Sequence, residues 1–332
     1  MLQFHNSTTK AKITTDMLQN YYTHHFDNTA LINLIGLSTF SNREFGFQFE
    51  NNSFVRNRSF TTPRQLQKFM QKGVSQAYVG AVFKQPPSRS QTIKHLSWKF
   101  RELVFDIDIN DYDPIRNCCQ GNNFCNSCWT LIKDAMTFLD ATLKEDFGFT
   151  KTQWIFSGRR GVHCWVHDEL GKTLDRKQRS AIINYLTLIK SNNGEADIDN
   201  PLQQIKYTKT LSERIFTLLA TSYLRYATPE ELRTLGLTKS EIATFKGYAH
   251  RGYLNFNPPH LLYQIFPSCD KNRLIKEIII KRYPRIDQKV TTDLTRLLKI
   301  PNSVATTGKI CVVIDKPSKF DPFAAPSIYD FV

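Results

Sequence analysis

Apolar and polar residues alternate through Val104-Phe-Asp-Ile-Asp-Ile109, and a period of two predicts a strand. On it Val104, Asp106 and Asp108 share one face, and Phe105, Ile107 and Ile109 share the other. Similar alternation in Glu44-Phe-Gly-Phe-Gln-Phe49 and in Phe54-Val-Arg-Asn-Arg-Ser-Phe60, joined by Asn51-Asn52, predicts a strand pair with Arg56 and Arg58 on one side. Tyr78 to Phe83 reads as a strand stopped by Pro86-Pro87, and Lys309 to Asp315 as the final strand.

Helical spacing governs most of the rest. Met17, Leu18, Tyr21, Tyr22 and Phe26 follow the capping candidates Thr14 and Thr15, predicting a helix within 14–35. Pro63 opens another, with Leu66, Phe69 and Met70 on its buried side. Leu131, Ala135, Phe138, Leu139 and Leu143 line one side of a helix from Trp129 to Phe147 that stops at Gly148. Residues 173–250 show helical periods and few strand signals, predicting an all-helical subdomain with a mobile polar loop from Ser191 to Pro201. Asp270 to Arg282 gives a further helix, Asp287 precedes a helical run ending near Lys299, and the tail from Asp321 past Pro326 is expected over the surface. No repeat of fixed period is visible.

The two carboxylates of the first strand need a reason that its apolar face does not. Residues i and i+2 lie roughly 6.6 Å apart on a strand. At an effective dielectric of about 20, two ionised groups at that distance repel by on the order of 2.5 kcal/mol. A divalent cation between them removes the repulsion, and two oxygen donors on one rigid strand suit octahedral Mg²⁺ or Mn²⁺ with positions left for phosphate oxygens. The competing reading is an edge strand whose aspartates face water. It suits Asp111 and Asp113, where the strand gives way to a turn at Pro114; the large apolar neighbours of Asp106 and Asp108 favour the cation.

Length and charge narrow the partners. A chain of 332 residues buries about three quarters of its unfolded surface, as one domain with an insertion or as two. Lysine and arginine outnumber aspartate and glutamate 44 to 30, giving a net charge of +14. That excess points first to nucleic acid or nucleotides, with an acidic protein as the alternative. No stretch approaches ~18 consecutive apolar residues, so no membrane span is expected. The first residues lack the apolar core of a signal peptide, which predicts a reducing compartment and cysteines that act as thiols or metal ligands.

Four of the seven cysteines fall in Cys118-Cys119-Gln-Gly-Asn-Asn-Phe-Cys125-Asn-Ser-Cys128. Two close pairs across a Gly/Asn turn can converge on one tetrahedral Zn²⁺, and a site filled by four thiolates is closed and structural. Free thiols are the alternative. Cys164, Cys269 and Cys311 stand alone and read as small core residues. In Trp154-Ile-Phe-Ser157-Gly-Arg159-Arg160-Gly-Val-His163-Cys-Trp-Val166, two apolar strands flank a tight basic turn. Its glycines permit close backbone approach, and Ser157, Arg159, Arg160 and His163 supply donors for a phosphate cradle. Solvated arginines at a hairpin tip are the competing reading; a cation on the neighbouring acidic strand favours the cradle, since metal and donors together serve a nucleoside triphosphate.

Asp106-Ile-Asp108, the four-cysteine cluster, Ser157 to Trp165 and Tyr283-Pro-Arg-Ile-Asp287 are specific in combination. With them the chain resembles the small catalytic subunits of eukaryotic DNA primases, in the archaeo-eukaryotic primase family, from Arg43-Glu44-Phe45 to Asp321-Pro-Phe323. The resemblance implies an α/β fold: a mixed β-sheet core with helices over 1–172 and 251–332, including a zinc motif at 118–128, and an all-helical subdomain over 173–250. It implies a DNA-directed RNA polymerase that makes short RNA primers on single-stranded DNA from ribonucleoside triphosphates. It also implies a nuclear location and, as partners, an iron-sulfur primase large subunit and the DNA polymerase α complex.

By the same resemblance Asp106, Asp108 and Asp287 hold two Mg²⁺ or Mn²⁺ ions. Ser157, Arg159, Arg160 and His163 match positions around the nucleotide phosphates, Lys299 matches a basic residue on the triphosphate, and Glu44 and Arg56 match active-site positions. From its own context Asp287 could equally cap the next helix. Two residues depart from the pattern: Ala305 stands where relatives usually carry a triphosphate-binding histidine, and Tyr78 where eukaryotic relatives tend to have an acid near the ribose. These departures keep open a catalytically weakened nucleic-acid-binding subunit of a replication complex; a metal-dependent nuclease shares the Asp pair but does not need the basic turn.

Overall fold

A computed structural model describes residues 12–90, 97–188, 208–250 and 270–331. In chain order the elements are α1 (Thr15–His24), α2 (Thr29–Ile35), β1 (Arg43–Phe49), β2 (Phe54–Arg58), α3 (Pro63–Met70), β3 (Val74–Phe83), β4 (Trp98–Phe100) and β5 (Leu103–Asp108). There follow α4 (Asn126–Phe147), β6 (Thr152–Phe156), β7 (Gly161–Val166), α5 (Glu169–Thr173), α6 (Arg176–Leu186), α7 (Lys209–Tyr226), α8 (Pro229–Thr234) and α9 (Lys239–His250). The last are α10 (Lys271–Arg282), α11 (Gln288–Thr292), β8 (Leu298–Lys299) and β9 (Val312–Ile314). Among the described residues no helix is long and apolar enough to cross a membrane.

The chain divides into two compact units, one of Met1–Asn110, Phe147–Ile183 and Ile286–Val332, the other of Asp111–Asp146 and Asn184–Arg285. In the first, one antiparallel sheet runs β2-β1-β3-β4 with β8 also on β3, and a second runs β5-β7-β6-β9. Phe45, Phe47, Leu66, Val79, Ile155 and Ile300 belong to one buried cluster in this unit. Each such side chain contributes about 1.5–3 kcal/mol on leaving water.

Local chemistry accounts for the element ends. Thr14 caps α1 by accepting the Met17 N–H, and Thr62 caps α3 by accepting the Gln65 N–H, with Pro63 at the first helical position. The helix expected within 14–35 is two helices, because Asp27 Oδ1 accepts from both the N–H and the hydroxyl of Thr29 and forces a turn between them. At the β1–β2 hairpin, Asn51 Oδ1 accepts the Ser53 N–H and Asn52 takes a φ of 61°.

Two expectations are corrected. Arg56 and Arg58 do not share a face: Phe45 pairs with Arg58 but Phe47 with Val55, so the register slips by one at a bulge where Asn57 has a φ of 55°. The helical run after Asp287 ends at Thr292, and Leu298–Lys299 is a strand in which Tyr78 faces Lys299. Short pairing with β3 overrides the local spacing there.

The second unit is helical. Phe138 of α4 is buried together with Leu211, Ile215 and Leu219 of α7 and with Leu274 and Ile278 of α10. The segment 118–128 leads into α4, whose Phe138 belongs to this core, and lies in the same unit. Cys164 and Cys311 are buried, as expected of small core residues. Cys269 and the loop Ser191 to Pro201 lie outside the described residues.

Candidate active site

β5 is the edge strand of its sheet, and its register against β7 sets Asp106 opposite His163 and Asp108 opposite Gly161. The tight turn before β7 is closed by the Ser157 N–H donating to the Gly161 carbonyl at 2.9 Å. Gly158 takes a φ of 75°, and a Cβ on Gly161 would come within 2.6 Å of the Ile107 carbonyl oxygen, so glycine is needed at both. The hairpin thereby delivers Arg160 to the acidic strand: its Nε donates to the two Asp108 oxygens at 2.7 and 3.0 Å. The positive charge that two adjacent carboxylates require is, in this structure, a guanidinium.

His163 Nε2 lies 3.6 Å from Asp106 Oδ1, and its Nδ1 is buried without a hydrogen-bond partner. Burial, followed by the nearby Lys299 ammonium, pushes the His163 pKa down to about 4, so the ring is neutral at pH 7. Lys299 itself is held below its ordinary value, first by burial and also by Arg159. The hairpin arginines, His163 and the β8 lysine therefore share one electrostatic neighbourhood.

Asp287 reaches the site through the backbone. Its N–H donates to the Asp106 carbonyl at 3.0 Å, and its Oδ1 accepts from the N–H groups of Lys289 and Val290, capping α11. Two further ties fix α11 along the open edge of β5. The Thr291 hydroxyl donates to the Val104 carbonyl at 2.8 Å, and the buried Arg101 donates to the carbonyls of Val290 and Asp293. Nothing in the spacing of Arg101 or Thr291 marks them beforehand; their weight comes from the partners that tertiary structure gives them.

Glu44 and Arg56 are brought to each other at 2.9 Å, and Arg56 also donates to the Thr295 carbonyl. The Tyr78 hydroxyl donates to Gln76 Oε1, and Gln76 in turn donates to Gln48 Oε1. Burial pushes the Tyr78 phenol up to about 12, so it stays protonated. Ala305 is buried, and a Cβ on Gly158 would lie 2.6 Å from its methyl. The basic turn thus packs directly on Ala305, the position where the resemblance leads one to expect a histidine.

Among the described residues, the cysteines are the only group of three or more His, Cys, Asp or Glu side chains whose ligand atoms converge as an ion requires. Asp108 is held by Arg160, and Asp287 caps α11. As a donor set Asp106, Asp108 and Asp287 still fit a hard cation: two partly exposed carboxylates on one strand, a third tethered to that strand's carbonyl, and oxygen donors only.

In the second unit the Sγ atoms of Cys118, Cys119, Cys125 and Cys128 all lie within 4.8 Å of one another, and Cys125 Sγ to Cys128 Sγ is 3.8 Å. Tetrahedral Zn–S bonds of about 2.3 Å imply sulfur separations of roughly 3.8 Å, so the cluster fits zinc without rearrangement. The Cys125 N–H donates to Cys128 Sγ, and Arg116 donates to the same sulfur and to the carbonyls of Gly121 and Asn123, bracing the loop. Burial opposes ionisation of Cys125, but hydrogen bonds from Cys128, Cys118 and Cys119 outweigh it and leave a pKa of about 7. Arg116 was not foreseen; its only sequence signal is an aspartate three residues earlier, Asp113, with which it is ion-paired.

A model of the DNA primase small subunit family matches residues 105–316. The DNA primase small subunit of Drosophila melanogaster is 30% identical over 353 residues, covering 96% of this chain and 81% of the relative. That of Saccharomyces cerevisiae is 30% identical over 320 residues, covering 87% and 76% respectively. Among solved structures, the polymerase domain of Mycobacterium tuberculosis Ligase D in complex with DNA aligns with a TM-score of 0.43 and 13% identity, over 96% of this chain and 87% of that one.

Proposed function

Because the chain belongs to the DNA primase small subunit family, and is thus a DNA primase, a nucleotidyltransferase, we propose that it makes short RNA primers on single-stranded DNA by two-metal-ion nucleotidyl transfer on the face of β5. Asp106, Asp108 and Asp287 would hold the ions, Mg²⁺ or Mn²⁺, which supply Lewis-acid activation of a 3′-hydroxyl and charge stabilisation at the α-phosphate. The chain's own residues do the rest. Arg159, Arg160, Ser157 and Lys299 bind and orient the triphosphate, and donors clustered on one turn fit phosphate geometry. His163, neutral and buried, orients Asp106 without adding charge. Arg56 holds the Glu44 carboxylate in place through its guanidinium.

The observation that carries this reading is the backbone bond from Asp287 to Asp106, which brings a sequence-distant acid against the strand that carries Asp106 and Asp108, beside the basic turn. Structural zinc at Cys118, Cys119, Cys125 and Cys128 belongs to the same proposal, as do a nuclear location and assembly with an iron-sulfur large subunit and DNA polymerase α. The test is dinucleotide synthesis on poly-pyrimidine single strands with divalent metal present or omitted. Wild type should incorporate only with metal, and Asp106→Ala or Asp108→Ala should abolish incorporation. A folded double variant that still extends primers ends the proposal. Ala305 and Tyr78 are the footholds of the weakened, binding-only reading; a wild-type chain that binds the strand but never incorporates would select it.

A further inference from the structure

The stretch from Asn51 through Arg101 holds ten lysines and arginines and not one aspartate or glutamate. In the fold this stretch builds β2, α3, β3 and β4, and several of its cations surface around α3 and the edge strand β2. Arg64 and Lys68 stand four apart on α3 and Lys72 follows four later, all exposed. Lys72 Nζ sits 5.0 Å and Arg58 Cζ 6.0 Å from the Phe69 ring centroid, so β2 and α3 pool their charge over one aromatic. Among the described residues no carboxylate pairs with Arg58, Arg64, Lys68 or Lys72; the acids nearest in sequence are taken, Glu50 by Lys12 and Glu44 by Arg56. Like charges four apart repel and weaken a helix, so this row asks for a counter-charge from outside the chain.

The row also leads somewhere. The bulge at Asn57 sends Arg56 to the Glu44 face and Arg58 to the α3 face, carrying cations over the free edge of the sheet. On the Glu44 face Phe54 is 49% exposed and meets Tyr78 edge-to-face, with ring centroids 5.7 Å apart. Tyr78 is in turn the register partner of Lys299. An exposed ring at the inner end of a cation row suits an unpaired base on a phosphate backbone; a duplex hides its base faces.

We propose that Arg58, Arg64, Lys68 and Lys72, with Phe54 at the inner end, form the track along which a single-stranded polynucleotide reaches the active-site face. That this strand is the template rests on the primase reading; that it binds here does not. The measurement is anisotropy of a labelled poly-pyrimidine strand titrated with the full chain, without nucleotides or divalent ions, over a series of salt concentrations. Arg64→Ala/Lys68→Ala/Lys72→Ala should bind about tenfold or more weakly at low salt, with a log K against log salt slope shallower by about 2, at ~0.7 per phosphate contact. Phe54→Ala should weaken binding about fivefold or more and leave the slope unchanged. Wild-type affinity and slope in the triple variant would overturn the track. So would duplex DNA competing as well as a single strand. Incorporation by the Asp106 and Asp108 variants judges the primase reading separately, so a failure of one is not mistaken for a failure of the other.

Discussion

The cysteine cluster and the acidic strand are both candidate metal sites, yet they are built in opposite ways. Four thiols come from eleven consecutive residues and their sulfurs already stand at zinc-like separations. Three carboxylates come from two segments far apart in the chain and are met by protein groups, among them Arg160 at Asp108, His163 beside Asp106 and the N-terminus of α11 at Asp287. A closed structural site can be preformed because its ligands have no other task. The acidic strand has its charges balanced by protein groups instead, which on the proposed reading is what a site that must admit nucleotide and cations requires.

The largest effect that would break this contrast is on chemistry. Asp106→Ala with Asp108→Ala should cut metal-dependent incorporation by at least about 10³-fold, the scale of several kcal/mol of lost charge stabilisation. Circular dichroism of the variant should remain that of wild type. Zinc loss should act the other way, on stability before chemistry. Cys125→Ser/Cys128→Ser, or chelation, should remove several kcal/mol and lower the melting temperature by about 10 °C or more, with one zinc per wild-type chain by elemental analysis. A zinc-free protein with unchanged melting would erase the distinction between the two sites.

A smaller effect is pH-dependent. His163 has a folded pKa of about 4 against about 6.5 unfolded, so between those values the unfolded state binds more protons. Its contribution is complete above pH 6.5, falls as pH drops towards 4, and amounts to about 3 kcal/mol at most. Urea unfolding of His163→Gln should show a correspondingly flatter decline over that window than wild type; parallel curves would mean that the ring is charged in the fold. The smallest is positional. Thr291→Val removes one hydrogen bond, worth about 1 kcal/mol, from the seat of α11. It should raise the Mn²⁺ concentration for half-saturation about fivefold, read by electron paramagnetic resonance of free Mn²⁺ as well as by activity, with kcat less affected.

Much of this was legible beforehand where the signal was local. The alternation around Asp106 and Asp108, the glycine-bracketed turn and the cysteine spacing each specify a short piece of backbone and its chemistry. Legibility failed where a distant partner decided. A bulge at Asn57 separated Arg56 from Arg58, and pairing with β3 made a strand at Leu298–Lys299. Asp287 could be read as a cap or as a ligand; the structure makes it a cap whose N–H is bonded to the acidic strand. The acid-free stretch from Asn51 to Arg101 was in plain view but gained meaning only when β2 and α3 set its cations side by side.

By itself the amino-acid order determined which groups were available: an acidic strand, a donor-rich turn, four thiols and a basic excess, because period, spacing and composition act over a few residues. Tertiary structure alone decided who meets whom: Arg160 on Asp108, Asp287 on Asp106, Arg101 and Thr291 behind α11, Phe138 tying the cysteine segment to the helices. Those pairings depend on closing long loops around two cores, and loop closure is driven by burial summed over the whole chain, which no local pattern encodes.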